Sequence, residues 1–203
     1  NRIEGDRGSD TLNGGDGNDT FVYDGTNNGV DVLNGGLGSD TIEGGDGNDT
    51  IRLNSVTGVE VIDGGLGDNV IIANGTLDLS DVTQITNINA ILGNAANNTI
   101  IATGADDVIN SGNGSDTLTG GASNDIFIFD NIMNKERITD FNAGAGLGDR
   151  IDLEAVSSLN SFADVLAAAS EVEIIDQGVV VRSDTVITVN AGSTITLEGV
   201  EIA

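Results

Sequence analysis

The feature that most limits what this chain can fold into is a glycine-rich repeat nine residues long. Residues 14–22 read GGDGNDTFV, 35–43 read GGLGSDTIE and 44–52 read GGDGNDTIR. The shared template is GGxGxDxUx, with U a large apolar residue. Weaker copies are 5–13 (GDRGSDTLN), 26–34 (TNNGVDVLN) and 64–72 (GGLGDNVII). Four more run unbroken over 93–101, 102–110, 111–119 and 120–128, the last two reading SGNGSDTLT and GGASNDIFI. All ten copies carry an apolar eighth residue: Leu12, Phe21, Leu33, Ile42, Ile51, Ile71, Ile100, Ile109, Leu118 and Phe127. Eight carry Asp at the sixth position, and the other two carry Asn69 and Asn98. A position held by Asp or Asn alone asks for a short side-chain oxygen.

Self-similarity at a short fixed period marks a solenoid, in which each repeat packs on its neighbours. Six residues rich in Gly make a turn, because Gly reaches backbone angles that other residues avoid. Three residues with a central apolar one make a short strand. Turn plus strand is half a coil, so two repeats close one coil of about 18 residues, with turns on alternate edges. Turns on the same edge stack ~4.7–4.9 Å apart. Calcium prefers oxygens at ~2.3–2.6 Å, so an ion midway between two stacked turns reaches both. Each turn offers one carboxylate and several backbone carbonyls. Without the ion the stacked carboxylates repel: two unit charges ~4.8 Å apart cost roughly 3.5 kcal/mol at an effective dielectric of 20. Several such pairs outweigh the net stability of a small domain, so folding is expected to be coupled to calcium binding.

Composition narrows the alternatives. The chain has 33 acidic residues against 7 basic ones, a formal net charge of −26. Such a surface repels nucleic acid and anionic lipid, so neither is an expected partner. Disorder is disfavoured because 38% of the residues are apolar and recur periodically. The absence of His and Cys removes the usual zinc ligands and the commonest general base. A β-helix polysaccharide lyase or epimerase needs a base and a cation gathered in a groove. The basic residues here are scattered along the sequence, so the chain is read as non-catalytic. An adhesion or polysaccharide-binding module is the alternative reading, since long solenoid faces make docking surfaces. No apolar run approaches the ~18 residues of a membrane span. The sequence is read as part of a larger protein, with a passenger domain N-terminal to Asn1.

These nonapeptides resemble the RTX (repeats-in-toxin, haemolysin-type calcium-binding) family, whose repeat is itself a standard example of a calcium-binding β-helix sequence. The resemblance implies an all-β fold, a right-handed parallel β-roll with several Ca²⁺ ions in its turns. It implies export through type I secretion machinery of a Gram-negative bacterium, unfolded inside and folding in the extracellular calcium. Carried over by position, it makes Asp10, Asp19, Asp31, Asp40, Asp49, Asp107, Asp116 and Asp125 side-chain ligands. Backbone carbonyls come from the first four positions of each turn. These are Gly14, Gly15, Asp16, Gly17, Gly35, Gly36, Leu37, Gly38, Gly44, Gly45, Asp46 and Gly47 in the first block. In the second block they are Ser111, Gly112, Asn113, Gly114, Gly120, Gly121, Ala122 and Ser123. The tail carries Ile138-Thr139-Asp140-Phe141 and then Gly148-Asp149-Arg150-Ile151-Asp152-Leu153. It resembles the segment C-terminal to such repeats in secreted proteases and lipases. Asp140 and Asp149 are its candidates for a last calcium site.

The chain divides into four regions. Residues 1–53 form a first repeat block and 93–130 a second. Residues 54–92 are expected to be divergent, widened coils with short strands at 59–62, 70–72 and 84–92 and no regular calcium. Residues 131–203 are expected to cap the solenoid with a helix from 161 to about 170. Four antiparallel strands should come after it, at 172–176, 179–182, 185–189 and 194–197.

Overall fold

The computed structural model describes residues 1–5, 8–23, 31–129, 134–142, 148–156, 169–176, 179–190 and 192–198. It is a parallel β-solenoid built from three sheets. The eight-stranded sheet holds β2 (Thr11–Asp16), β4 (Asp31–Leu37), β6 (Thr50–Thr57), β8 (Val70–Ala73), β11 (Ala90–Asn94), β13 (Val108–Gly112), β15 (Ile126–Ile128) and β17 (Arg150–Asp152). The five-stranded sheet holds β1 (Arg2–Glu4), β3 (Thr20–Val22), β5 (Thr41–Glu43), β7 (Val61–Asp63) and β10 (Gln84–Thr86). The seven-stranded sheet holds β9 (Thr76–Asp78), β12 (Thr99–Ile101), β14 (Thr117–Thr119), β16 (Lys135–Ile138), β20 (Ser193–Leu197), β19 (Val179–Asn190) and β18 (Ala169–Asp176). The chain alternates between the eight-stranded sheet and one of the other two. Between β8 and β11 it contributes β9 and β10 to two different sheets, so that coil has three strands.

Each strand is too short to hold by itself. What holds it is a column of apolar side chains, one per rung, pointing inward at the period-two positions of the strand. One column runs Ile3, Phe21, Ile42, Ile62, Ile85. A second runs Ile51, Ile71, Ile91, Ile109, Phe127, Ile151. A third runs Leu77, Ile100, Leu118, Ile138, Leu197. Of the ten apolar positions of the repeat, nine are fully buried and Leu12 is half-buried. Second buried residues two places along widen the core on several rungs, Tyr23 beside Phe21, Leu53 beside Ile51, Leu79 beside Leu77 and Phe129 beside Phe127.

Several expectations need adjustment. Coil length is 18 residues where Asn98 meets Asp116 and Asp107 meets Asp125. It rises to 21 between Asp19 and Asp40 and 24 between Asp125 and Asp149. The strand columns stay in register across these longer coils. Strands β2 and β4 are longer than the three residues expected. Their ladder continues into the next turn, where Gly15 pairs with Gly36 and Asp16 with Leu37. Turns that superpose this closely pair their own backbone groups. In β6 the register shifts near Asn54, so Leu33 stacks on Val56 rather than on Ile51.

In the cap, the two strands expected at 179–182 and 185–189 are one strand, β19. Ser183 and Asp184 between them are turn-favouring residues, yet they pair with Glu173 and Val172 of β18. β19 pairs antiparallel with β18 and β20, and β20 adds in parallel to β16, continuing the sheet past the last repeat. The expected helix lies, up to residue 168, outside the described residues. Its last residues, Ala169 and Ser170, are already strand. Among the described residues no helix is long and apolar enough to cross a membrane.

The apolar columns set a clear expectation. Ile109→Ala, in a fully buried site, should lower the stability of the calcium-saturated protein by about 2–5 kcal/mol in urea denaturation. Leu37→Ala, at a side chain 72% exposed, should change it by less than about 0.5 kcal/mol.

Candidate metal centre

The sixth position of each repeat lies just before a strand, where the turn ends. There the residues form ladders along the two edges of the solenoid. On one edge the Asp19 N–H donates to Asp40 Oδ1 at 2.8 Å, and the Asp40 N–H donates to Glu60 Oε2 at 2.7 Å. Further along, the Asn98 N–H donates to Asp116 Oδ1 at 2.7 Å and the Asp116 N–H to Glu136 Oε2 at 3.2 Å. On the other edge, Asp49, Asn69 and Asn89 are linked the same way, at 2.8 and 2.9 Å. Asp107, Asp125 and Asp149 are linked at 2.9 and 3.0 Å. Asp31 is the register counterpart of Asp10 on this edge. One side-chain oxygen per rung is therefore fixed by a backbone N–H of the preceding rung, a charge-assisted bond where it belongs to a carboxylate.

The second oxygen turns back over the first glycine of its own turn. A side chain on Gly14 would meet Asp19 Oδ2 at 2.6 Å and the Gly35 carbonyl oxygen at 2.5 Å. A side chain on Gly35 would meet Asp40 Oδ2 at 2.5 Å and press on the Gly58 carbonyl oxygen. At Gly120 the neighbour is Asp125 Oδ2. The first Gly of the template is thus required by close approach. The second and fourth are required by backbone angle, with φ of 105° at Gly36 and 142° at Gly38. In the last copy Ser123 takes the fourth place at φ 79°, and its hydroxyl donates to the Gly104 carbonyl at 3.0 Å.

The outcome is a set of oxygens facing oxygens. The Oδ2 atoms of Asp19, Asp40, Asp116 and Asp125 are buried and accept no hydrogen bond. In the turn 111–116, Ser111 Oγ and Asn113 Oδ1 are in the same condition as Asp116 Oδ2. Carbonyl oxygens of successive turns point along the stack, Gly15 and Gly17 against Gly36 and Gly38, Asn94 and Ala96 against Gly112 and Gly114. Some carbonyls also accept backbone N–H groups, Leu37 from Gly17 and Gly45 from Leu66. The remaining carried-over positions, Gly44, Asp46, Gly47, Gly121 and Ala122, lie in the same stacked turns, with the Asp16 and Asp46 side chains exposed.

A buried carboxylate oxygen without a donor costs several kcal/mol unless it is protonated or meets a cation. Among the described residues no three acidic side chains converge on one point. The donor set is instead one carboxylate per turn completed by uncharged oxygens. Hard oxygens in variable number and loose geometry suit calcium, and the orphaned atoms give such an ion its place between turns.

Three acids depart from the pattern. Asp107 Oδ2 accepts the Thr103 N–H at 2.9 Å and the Thr103 hydroxyl at 2.7 Å, so its turn is satisfied from within. Asp140 accepts the N–H groups of Gly120 and Gly121 at 3.0 and 2.7 Å. Asp149 accepts those of Asp125 and Asn142. The two tail acids thus bracket the turn 120–125 from the next rung.

The nine-residue template passes over three ladder members, Glu60, Asn89 and Glu136. Each stands two residues before a buried Ile, as in Glu60-Val61-Ile62, Asn89-Ala90-Ile91 and Glu136-Arg137-Ile138. That triplet is the signal the sequence carries for them without the glycines.

Burial pushes the Asp125 carboxyl up to about 7, with Asp149, Asp107 and Asp140 adding like charge. Burial, then the charge of Asp116, pushes Glu136 up to about 7, and burial raises Asp107.

The chain matches the RTX calcium-binding nonapeptide repeat four times, over residues 1–28, 25–55, 55–78 and 92–127. No curated protein matches it.

The geometry sets two expected outcomes. Gly35→Ala, whose methyl would strike Asp40 Oδ2 and the Gly58 carbonyl, should raise the calcium midpoint of folding at least about tenfold. Gly104→Ala, with nothing within 4 Å, should leave that midpoint unchanged. Acids whose pKa is raised in the folded state favour the fold below their unfolded pKa. That stability is lost as pH rises through about 7. The metal-free chain should therefore gain β signal in circular dichroism as pH falls from about 7 to about 4, while calcium binding weakens over the same range as protons compete.

Proposed function

The chain belongs to the RTX calcium-binding nonapeptide-repeat family, and from that premise we propose that it is a non-catalytic module that folds on calcium outside the cell and stabilises the protein it is part of. It is a calcium-binding β-roll. The observation that carries the proposal is the set of buried carboxylate oxygens that accept no hydrogen bond, those of Asp19 and Asp40 lying beside backbone carbonyls of the next stacked turn.

Asp19 and Asp40, with the carbonyls around Gly14 and Gly35, would hold ions in the first block. Asp116 with Ser111 Oγ and Asn113 Oδ1, and Asp125 bracketed by Asp140 and Asp149, would hold them in the second. Bound calcium supplies positive charge between oxygens that otherwise repel. The chain's own part is to hold those oxygens in register through its apolar columns and its N–H to carboxylate ladders. With a net charge of −26, the chain at low calcium resists collapse. That suits passage through a type I secretion channel from a Gram-negative cytosol low in calcium. Outside, the ions neutralise the turns and the rungs close in sequence.

Calcium titration of the chelator-treated protein, followed by far-UV circular dichroism, should show a cooperative gain of β signal. Magnesium at equal concentration should give little, because the smaller ion demands an octahedral shell these turns do not form. A full β spectrum in chelator would overturn the proposal.

A further inference from the structure

We propose that the middle of the solenoid, residues 61–110, is an ion-free segment in which side-chain amides and one hydroxyl occupy the role that calcium has in the flanking blocks. This rests on the calcium reading of those blocks and adds to it a part of the fold that stands without the metal.

The turn 64–69 has the shape of the Asp turns with one atom changed. A side chain on Gly64 would press on the Asn87 carbonyl oxygen and on Asn69 Nδ2. At Gly35 the corresponding pair is the Gly58 carbonyl and Asp40 Oδ2. Two acceptors share the space at Gly35, whereas at Gly64 a donor faces an acceptor. Asn69 Nδ2 donates to the Asn87 carbonyl at 3.0 Å. The amide orientation is fixed by its other end, since Asn69 Oδ1 accepts the Asp49 N–H at 2.8 Å. The side chain thus keeps the ladder bond of an Asp and supplies its own bridge to the next turn.

Asn98 is satisfied at both ends too. Its Oδ1 accepts the Asn94 N–H at 3.0 Å, and its Nδ2 donates to the Gly75 carbonyl at 3.3 Å. Asp107, the last acid of this stretch, is closed by Thr103. Neutral donors also link the rungs elsewhere. Asn87 Nδ2 reaches Asp63 Oδ1 at 2.8 Å, and the Thr83 hydroxyl reaches the Glu60 carbonyl at 3.1 Å. Among the described residues, the buried side-chain oxygens without a hydrogen bond fall in the first block and at 111–125. None falls between 50 and 110. The apolar column is unbroken there, with Ile62, Ile71, Leu77, Ile91, Ile100 and Ile109 buried. At Asn69, Asn98 and Asp107 the edge oxygens are thus met by donors of the chain itself.

Hydrogen–deuterium exchange on the whole chain, read by mass spectrometry with and without chelator, tests this. Peptides within 61–110 should keep slow exchange in chelator. Peptides within 11–43 and 111–128 should exchange as unfolded chain and slow at least about tenfold when calcium is added. Fast exchange of 61–110 in chelator, with recovery alongside the flanks, would overturn the inference while leaving the calcium reading intact. Slow exchange everywhere in chelator would instead remove the calcium reading, and this inference with it. The variant Asn69→Asp places an acceptor opposite the Asn87 carbonyl. Peptides covering β8 and β11 should then exchange at least about tenfold faster in chelator and recover in calcium. Unchanged exchange in that variant would also overturn the inference.

Discussion

The structure depends on one contact, the approach of a carboxylate oxygen to a backbone carbonyl across two stacked turns. Everything that brings the turns together forces these oxygens together. The strand columns set the spacing, the first glycine removes the side chain that would hold the turns apart, and the N–H ladder pins one carboxylate oxygen so that the other must face inward. At Asp19, Asp40, Asp116 and Asp125 that second oxygen is left without a donor. On the proposed reading, a fold that concentrates unbalanced negative charge at its own joints takes a cation as part of its core.

The division of labour between edges and faces explains the composition. The faces are filled by one or two mostly aliphatic side chains per rung, so the protein manages with 3% aromatic residues. A core so narrow buries little area per residue and is hard pressed to offset the backbone entropy of 30 glycines. The missing stability has to come from the edges. On the proposed reading, bound calcium supplies it at Asp19, Asp40, Asp116 and Asp125, while at Asn69, Asn98 and Asp107 the chain supplies its own donors. The change of one atom at Asn69 would then alter which solution conditions a rung tolerates.

Much of this was legible in the sequence because the repeat encodes both periodicities at once. The apolar eighth position marked nine fully buried residues, and the Asp or Asn sixth position marked the ladder. What stayed hidden were rungs whose turns had changed. Glu60, Asn89 and Glu136 keep the ladder with no GGxG before them, because the strand column fixes the end of the turn and leaves its path free. The split of the middle coil between β9 and β10 was hidden for a related reason, since three-residue strands carry too little pattern to say which sheet they join. In the cap, Ser183 and Asp184 look like turn residues, yet pairing with β18 draws them into a long strand. Tertiary pairing outweighs local preference there.

The most direct measurement is anomalous diffraction from crystals grown in calcium chloride, at a wavelength where calcium scatters strongly. Peaks are expected between the turns at 14–19 and 35–40 and within the turns at 111–116 and 120–125, each beside an aspartate Oδ2. Well-ordered turns with their aspartates buried as described and no anomalous density between them would contradict the account.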